Sequence, residues 1–236
     1  VLLYAGTTGV GLHHLVITKV GAMVLLAPPM AAAFLLCYAI LLALAIRIAG
    51  RWVRPGLHRD DDITGWALWF TEHQFGHATG ILFSLFSTVF TRPWLRLAGI
   101  KVGRGTEFST VTGLSRLVTV GSQSFSTDDV CFVTTRARDG WIDVAPITIG
   151  DRTFLGNGAI VPGGATIGSG CLIGAQTLAP AYAPDGTSWF GTPALELPRI
   201  PVQADARRTF DPPFRLRIAR SSIEILRIVM PFAVTV

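Results

Sequence analysis

The chain has 236 residues, half of them hydrophobic and only 15% charged, and its 20 Lys and Arg against 15 Asp and Glu leave a net charge of +5. Three scattered cysteines, Cys37, Cys131 and Cys171, exclude a disulfide framework and a cysteine metal site. The basic residues flank apolar segments without a recognition motif, which argues against nucleic acid and leaves membrane lipid or an acidic protein as partners for the charge.

Residues 11–27 read as a weaker membrane helix, interrupted by His13, His14 and Lys19. Residues 29–49 read as a strong one: no charged residue occurs from Val20 to Ile46, and about 20 apolar residues suffice to span a bilayer. Pro28 and Pro29 mark its start. Arg47, Arg51, Arg54 and Arg59 follow before the first acid, Asp60, and such an excess of positive charge marks the cytoplasmic end. Residues 64–91 are apolar and aromatic but contain Glu72, His73 and His77, so they read as an interfacial or re-entrant segment that returns to the same side. His73 and His77 share a helix face without the glutamate of a zincin motif, which favours packing, or proton handling, over a metal. Everything after Arg92 is then expected at the cytoplasmic face of the membrane.

From Ile149 onward one six-residue unit recurs five times in phase. Its first place is Ile149, Leu155, Val161, Ile167 or Ile173, its second is usually Gly, and its fifth is small, at Thr153, Ala159, Ala165, Cys171 and Thr177. Neither a 3.6-residue helix period nor a two-residue strand alternation fits this spacing. A hexapeptide repeat builds a triangular prism of parallel strands with eighteen residues per turn, a left-handed parallel β-helix. The phase extends back through Val102, Phe108, Leu114 and Val120, with Gly103 and Gly121 in the second place and Thr106, Thr112 and Ser124 in the fifth. Two coils, a loop inserted over residues 134–146 and about two further coils are expected. The divisions are membrane helices over 1–60, the interfacial or re-entrant segment over 61–98, the β-helix over 99–199, and over 200–236 a linker and the start of another membrane helix. The chain begins at Val1 and ends inside the apolar run from Ile223 to Val236, so it reads as a slice of a longer polypeptide.

Hexapeptide prisms commonly hold the pantetheine arm of an acyl thioester and use a histidine base, yet His13, His14, His58, His73 and His77 all precede the prism. The best acidic pair within it is Asp128 and Asp129. Two readings stand for that pair: carboxylates that orient or deprotonate an acceptor amine, or corner residues that cap backbone N–H groups. Arg136, Arg138 and Trp141 in the inserted loop suit a phosphate or the arm, or simply a solvated loop. Asn157 is placed to hydrogen-bond an amide of the arm or to be an ordinary corner residue, and Ser188 and Trp189 close the last coil and are candidates to touch ligand.

Three features in this order carry a resemblance. They are Arg-Pro-Trp-Leu-Arg-Leu-Ala-Gly-Ile-Lys-Val-Gly-Arg-Gly from Arg92 to Gly105, the prism, and the closing Ser-Trp-x-Gly-x-Pro-Ala-x-x-Leu-Pro-Arg from Ser188 to Arg199. Together with the membrane helices they resemble the carboxy-terminal region of epsilon-poly-L-lysine-synthetase-like nonribosomal peptide synthetases. The resemblance implies an adenylation and a carrier domain earlier in a longer chain, and tandem prisms separated by membrane helices. It also implies amide-bond formation between a free amine and an aminoacyl thioester on the carrier's phosphopantetheine arm. Prisms of this kind work as homo-oligomers, usually trimers, with sites between neighbours, and tandem copies would imitate that arrangement. Two other functions remain open: a membrane O- or N-acyltransferase using acetyl-CoA, and a prism that serves as scaffold or carrier dock without catalysis.

Overall fold

The computed structural model describes residues 26, 29, 30, 32–199, 210 and 212–234. Except for Leu26, the weak helix expected over residues 11–27, with His13 and His14, lies outside them.

The first helix, α1 (residues 32–49), runs into a 3-10 turn at Gly50–Trp52. The stretch Ala32–Trp52 is long and apolar enough to cross a membrane, the one such helix among the described residues. It buries Leu42, Ala43 and Ile46 in a core shared with α2 (Ile63–Ile81) and α3 (Thr91–Leu97). The Trp94 indole N–H donates to the Ala39 carbonyl at 2.9 Å and fixes α3 to α1. Asp62 starts α2 as an N-cap, accepting from the amides of Thr64 and Gly65 at 2.7 and 2.9 Å, which satisfies donors the helix cannot.

Behind the helices three parallel sheets close the prism. The first face stacks β2 (Lys101–Val102), β5 (Val118–Val120), β10 (Ile147–Ile149), β13 (Thr166–Ile167) and β15 (Tyr182–Ala183). The second stacks β3 (Glu107–Phe108), β6 (Phe125–Ser126), β11 (Phe154–Leu155), β14 (Leu172–Ile173) and β16 (Ser188–Phe190), with β17 (Leu195–Leu197) returning antiparallel to β16. The third holds β4 (Val111–Thr112), β7 (Val130–Val133) and β12 (Ile160–Pro162). Two coils precede the insertion and three follow it on the first two faces, one more than the repeat predicts. The last coil escapes the pattern because its inward residues, Ala183 and Trp189, follow Ile173 by ten and sixteen residues and so fall out of the six-residue phase.

Inside the prism the register makes columns, Val102–Val120–Ile149–Ile167–Ala183 and Phe108–Ser126–Leu155–Ile173–Trp189. The five first-place aliphatics and the five small fifth-place residues of the repeat are all at most 2% exposed. Glycine in the second place is required by the approach of the next coil: a Cβ on Gly150 would lie 2.5 Å from the Ser169 amide nitrogen. The left-handed turn falls two residues later, on Gln123, Asp129, Arg152 and Gln176 with φ of 54–59°.

The insertion is a hairpin rather than a loop. β8 (Thr135–Arg138) and β9 (Trp141–Val144) pair antiparallel around Asp139-Gly140, both at positive φ, and β1 (Gly56–Arg59) adds a third strand beside β9. Asp-Gly with two left-handed residues matches the twist of a two-residue hairpin.

Helix α4 (Phe214–Val234) returns to the first coil. Arg220 donates both Nη groups to the Glu107 carboxylate at 2.7 Å and its Nε to Glu224 at 2.8 Å. Glu224 in turn accepts from the Val89 amide at 2.7 Å, and Arg227 donates to the carbonyls of Phe86 and Ser87 at 2.9 and 3.0 Å.

Candidate functional site

Third-place residues of the repeat turn the corners, and most of the carboxylates there cap. Asp151 and Asp185 accept from the amides of Ser122 and Ser169, at 2.5 and 2.7 Å, at the corner between the first and second faces. Asp128 holds the equivalent place at the next corner, between the second and third faces, where the backbone of Thr110 is joined by two hydroxyls in binding its carboxylate. Ser109 Oγ donates to it at short range, and Thr110 Oγ1 lies 3.3 Å from the same oxygen and 3.4 Å from Asp129. The Ser109 hydroxyl first, with Thr110, holds the Asp128 carboxyl below the usual carboxylate range. Both aspartates face solvent, so the corner presents two carboxylates suited to an ammonium group. Asn157 is stacked on this corner one coil on, where the neighbouring Gly158 amide donates to the Asp128 carbonyl at 2.9 Å.

From Asp129 the chain enters β7, and α2 lies over this third face. A cavity of about 320 Å³ separates them, with Glu72, Phe75 and Thr79 on the helix side and Thr112, Cys131 and Thr135 on the sheet side. A second cavity, of about 510 Å³, shares Glu72 and is lined by Trp69, His73 and His77. Partial enclosure by protein pushes the Glu72 carboxyl up, although the residue keeps contact with solvent. Trp66, Trp69, His73 and His77 form a ladder of rings along α2 at centroid spacings of 5.9, 5.3 and 4.7 Å, and the Nε2 atoms of the two histidines are 3.2 Å apart.

The structure thus groups Asp128, Asp129 and Asn157. It places Arg136, Arg138 and Trp141 on the exposed hairpin at the opposite edge of the third face, where Arg138 pairs with Asp139. Ser188 and Trp189 lie on the second face of the last coil. Trp189 continues the inner column and its indole donates to Thr187 Oγ1 at 2.9 Å, away from the aspartates. Sequence reasoning missed Ser109 and Thr110, although they precede Asp128 by one eighteen-residue turn to within a residue. It also left Glu72, His73 and His77 in a separate segment, because nothing in a local pattern says which face a distant helix will cover.

Residues 146–178 match the family described as bacterial transferase hexapeptide (six repeats). Over 217 residues, 90% of this chain, the sequence is 33% identical to Delta-poly-L-ornithine synthetase of Acinetobacter baumannii (strain AB307-0294), and it spans 16% of the length of that relative. Among solved structures, a maltose O-acetyltransferase from Clostridium difficile 630 superposes with a TM-score of 0.52 at 18% identity, covering 64% of this chain and 96% of that one. The chain is therefore a hexapeptide-repeat protein with the left-handed β-helix fold, similar in sequence to a poly-amino-acid synthetase.

Proposed function

We propose that the chain is a membrane-anchored module that forms amide bonds between a carrier-bound aminoacyl thioester and a free amine. The observation that carries this reading is the 217-residue match to Delta-poly-L-ornithine synthetase, which is more than twice the span of the prism and so takes in helices as well as repeat. In this reading Asp128 and Asp129 hold the incoming amine as its ammonium. Because the hydroxyls keep Asp128 ionised, it is a good electrostatic partner and a poor base. Proton acceptance then belongs to the third face, to Glu72 or the His73–His77 pair. The nitrogen attacks the thioester carbonyl, the C–N bond forms, the C–S bond breaks, and the leaving thiolate takes up a proton.

The third face fits a pantetheine arm in width and lining. β7 spans roughly 13 Å at about 3.3 Å per residue, with the aspartates at one edge and Arg136 and Arg138 of the hairpin at the other. The cavity beneath α2 offers the outward side chains of Cys131 and Val133 for apolar contact and the hydroxyls of Thr112 and Thr135 for amides. Arginines at the far edge would take the phosphate, which brings the thioester end toward Asp128. Such positioning can itself supply several kcal/mol of barrier lowering.

The test is mass spectrometry of products from the full-length membrane protein with its carrier loaded. Asp128→Asn is expected to leave loading intact and to reduce dipeptide formation by about 100-fold, the scale of one well-placed charged group. Unchanged products would remove Asp128 from the mechanism. Acetyl transfer from acetyl-CoA without a carrier would favour the simpler acyltransferase instead.

A further inference from the structure

At its foot α1 meets the first face of the prism across a cavity of about 530 Å³ that also touches Thr71 of α2. Arg47, Arg51, Lys101 and Arg116 line it together with the hydroxyls of Thr119 and Thr148, and no carboxylate does. A second cavity, of about 370 Å³, shares Arg47 and Lys101 and adds Arg96. Two of the arginines are held in place by backbone. Arg47 Nη1 donates to the carbonyls of Arg96 and Leu97, both at 3.4 Å, and Arg116 Nη1 donates to those of Gly50 and Arg51, both at 3.3 Å. Each keeps its remaining guanidinium donors for another acceptor. Among the described residues none of the four cations pairs with an acid. All four are exposed, and a cluster of like charges without a counter-charge attracts an anion although solvent screens its own repulsion.

The same two helices carry an apolar cavity next to the basic one. Leu35, Ala39 and Ile40 of α1 and Trp94 and Leu97 of α3 line a space of about 470 Å³ with few polar atoms, closed on its third side by Ile225 of α4. Ile40 and Arg47 are seven residues apart, roughly 10 Å along a helix. An apolar slot and a basic one at that distance along one helix have the layout of a phospholipid, acyl chain above and phosphate below. Trp52, exposed just beyond the basic cavity, is the residue type that settles at headgroup level.

We infer that the foot of α1 is a phosphate-binding site that takes the headgroup of an acidic phospholipid, with an acyl chain along α1 and α3. The inference stands apart from amide-bond chemistry on the third face. The source of the phosphate, lipid or small ester, is separable by experiment.

The full-length protein, extracted in mild detergent, would be titrated with phosphatidylglycerol, with diacylglycerol of the same acyl chains, and with inorganic phosphate, with retained lipid counted by native mass spectrometry. Binding of phosphatidylglycerol at least tenfold tighter than diacylglycerol is expected, and Arg51→Gln with Lys101→Gln should weaken it by about tenfold or more, since each cation near a lipid surface contributes about 1 kcal/mol. Arg152→Gln removes a charge at the corner between the first and second faces, outside both basic cavities, and should leave lipid retention unchanged. Neither Arg51 nor Lys101 uses its side chain to hold the fold, and Lys101→Gln alone serves if the double variant does not fold. Equal retention of the two lipids, or no loss in the variants, would overturn the inference. Inorganic phosphate binding at the same residues without lipid uptake would assign the basic cavity to a small phosphate ester and overturn its lipid half.

Discussion

Asp128 and Asp151 occupy the same third place in their six-residue units, and the difference between them is what their neighbours one coil back offer. Asp151 caps the Ser122 amide, whereas Asp128 meets the Thr110 amide and adds the hydroxyls of Ser109 and Thr110, and both remain exposed. Glu72 shows the opposite electrostatic environment, with its carboxyl pushed up by the protein that partly surrounds it although the residue is exposed. The folded protein therefore holds the Glu72 proton more tightly than the unfolded chain does, and this contribution to stability is present at low pH and fades as pH rises through the raised value. Glu72→Gln keeps the shape and removes the charge. Relative to wild type it should gain up to about 1 kcal/mol between pH 4.5 and pH 7.5, discounted because the residue is partly solvated, and thermal melts at the two pH values would show it. A melting difference that is flat with pH would remove the burial argument. Gly150 offers a steric test of the same kind. Gly150→Ala drives a Cβ against the next coil and should cost about 2–3 kcal/mol. Gly158→Asn at φ 66°, where the nearest atom to an added Cβ is 3.5 Å away, should cost about 1 kcal/mol or less. Comparable losses in denaturant titrations of both variants would mean that coil spacing is not what selects glycine.

Helix α4 shows how an element can be held by charge on an otherwise apolar body. Arg220 bridges Glu107 of the first coil and Glu224 of its own helix, and these two carboxylates hold its guanidinium more firmly protonated than usual. Arg220→Ala leaves Glu224, whose side chain is about 10% exposed, with the Val89 amide alone. Partial exposure limits the loss to about 1–2 kcal/mol, enough for roughly tenfold faster hydrogen exchange over residues 214–226, whereas Arg215→Ala should leave exchange unchanged. The sequence shows the run from Ile223 as apolar and says nothing of this anchorage, because the partners Glu107 and Val89 lie more than a hundred residues away. What is legible locally is what repeats or turns locally. Ile149 to Thr177 announce the inward places of nearly two coils, whereas the hairpin around Asp139-Gly140 reads in the sequence only as a loop, and its pairing with β1 is to a strand about eighty residues earlier. The candidate site is legible only along one coil's period: Asp128 and Asn157 stand out as corner residues, while the covering helix with Glu72, His73 and His77 is chosen by packing across the whole domain.

For the molecule as a whole, the outer faces of the helices set the terms. Phe34, Leu36 and Leu41 on α1 are each more than 60% exposed, and Ile223 and Leu226 on α4 are comparably open. Contiguous apolar surface of this kind belongs against lipid or a partner. The three cysteines report on it directly: Cys37 lies exposed on α1, Cys131 half-buried beneath α2, and Cys171 inside the prism. In native membranes a charged maleimide should leave Cys37 unlabelled while a lipophilic one labels it, and Cys171 should react with neither until the prism is unfolded. Labelling of Cys37 by the charged reagent would place α1 in water. The prism is finished at both ends in different ways. Its first coil surrenders the Phe108 carbonyl to the Ser87 amide and the Gly103 carbonyl to Arg92, while its last is closed by the antiparallel return of β17 along β16. A stack of parallel strands would otherwise be an open template, ready to recruit identical rungs. Sealed top and bottom, it cannot grow into a fibre, and further prisms can join only flank to flank, the geometry in which one copy's corner faces another copy's sheet.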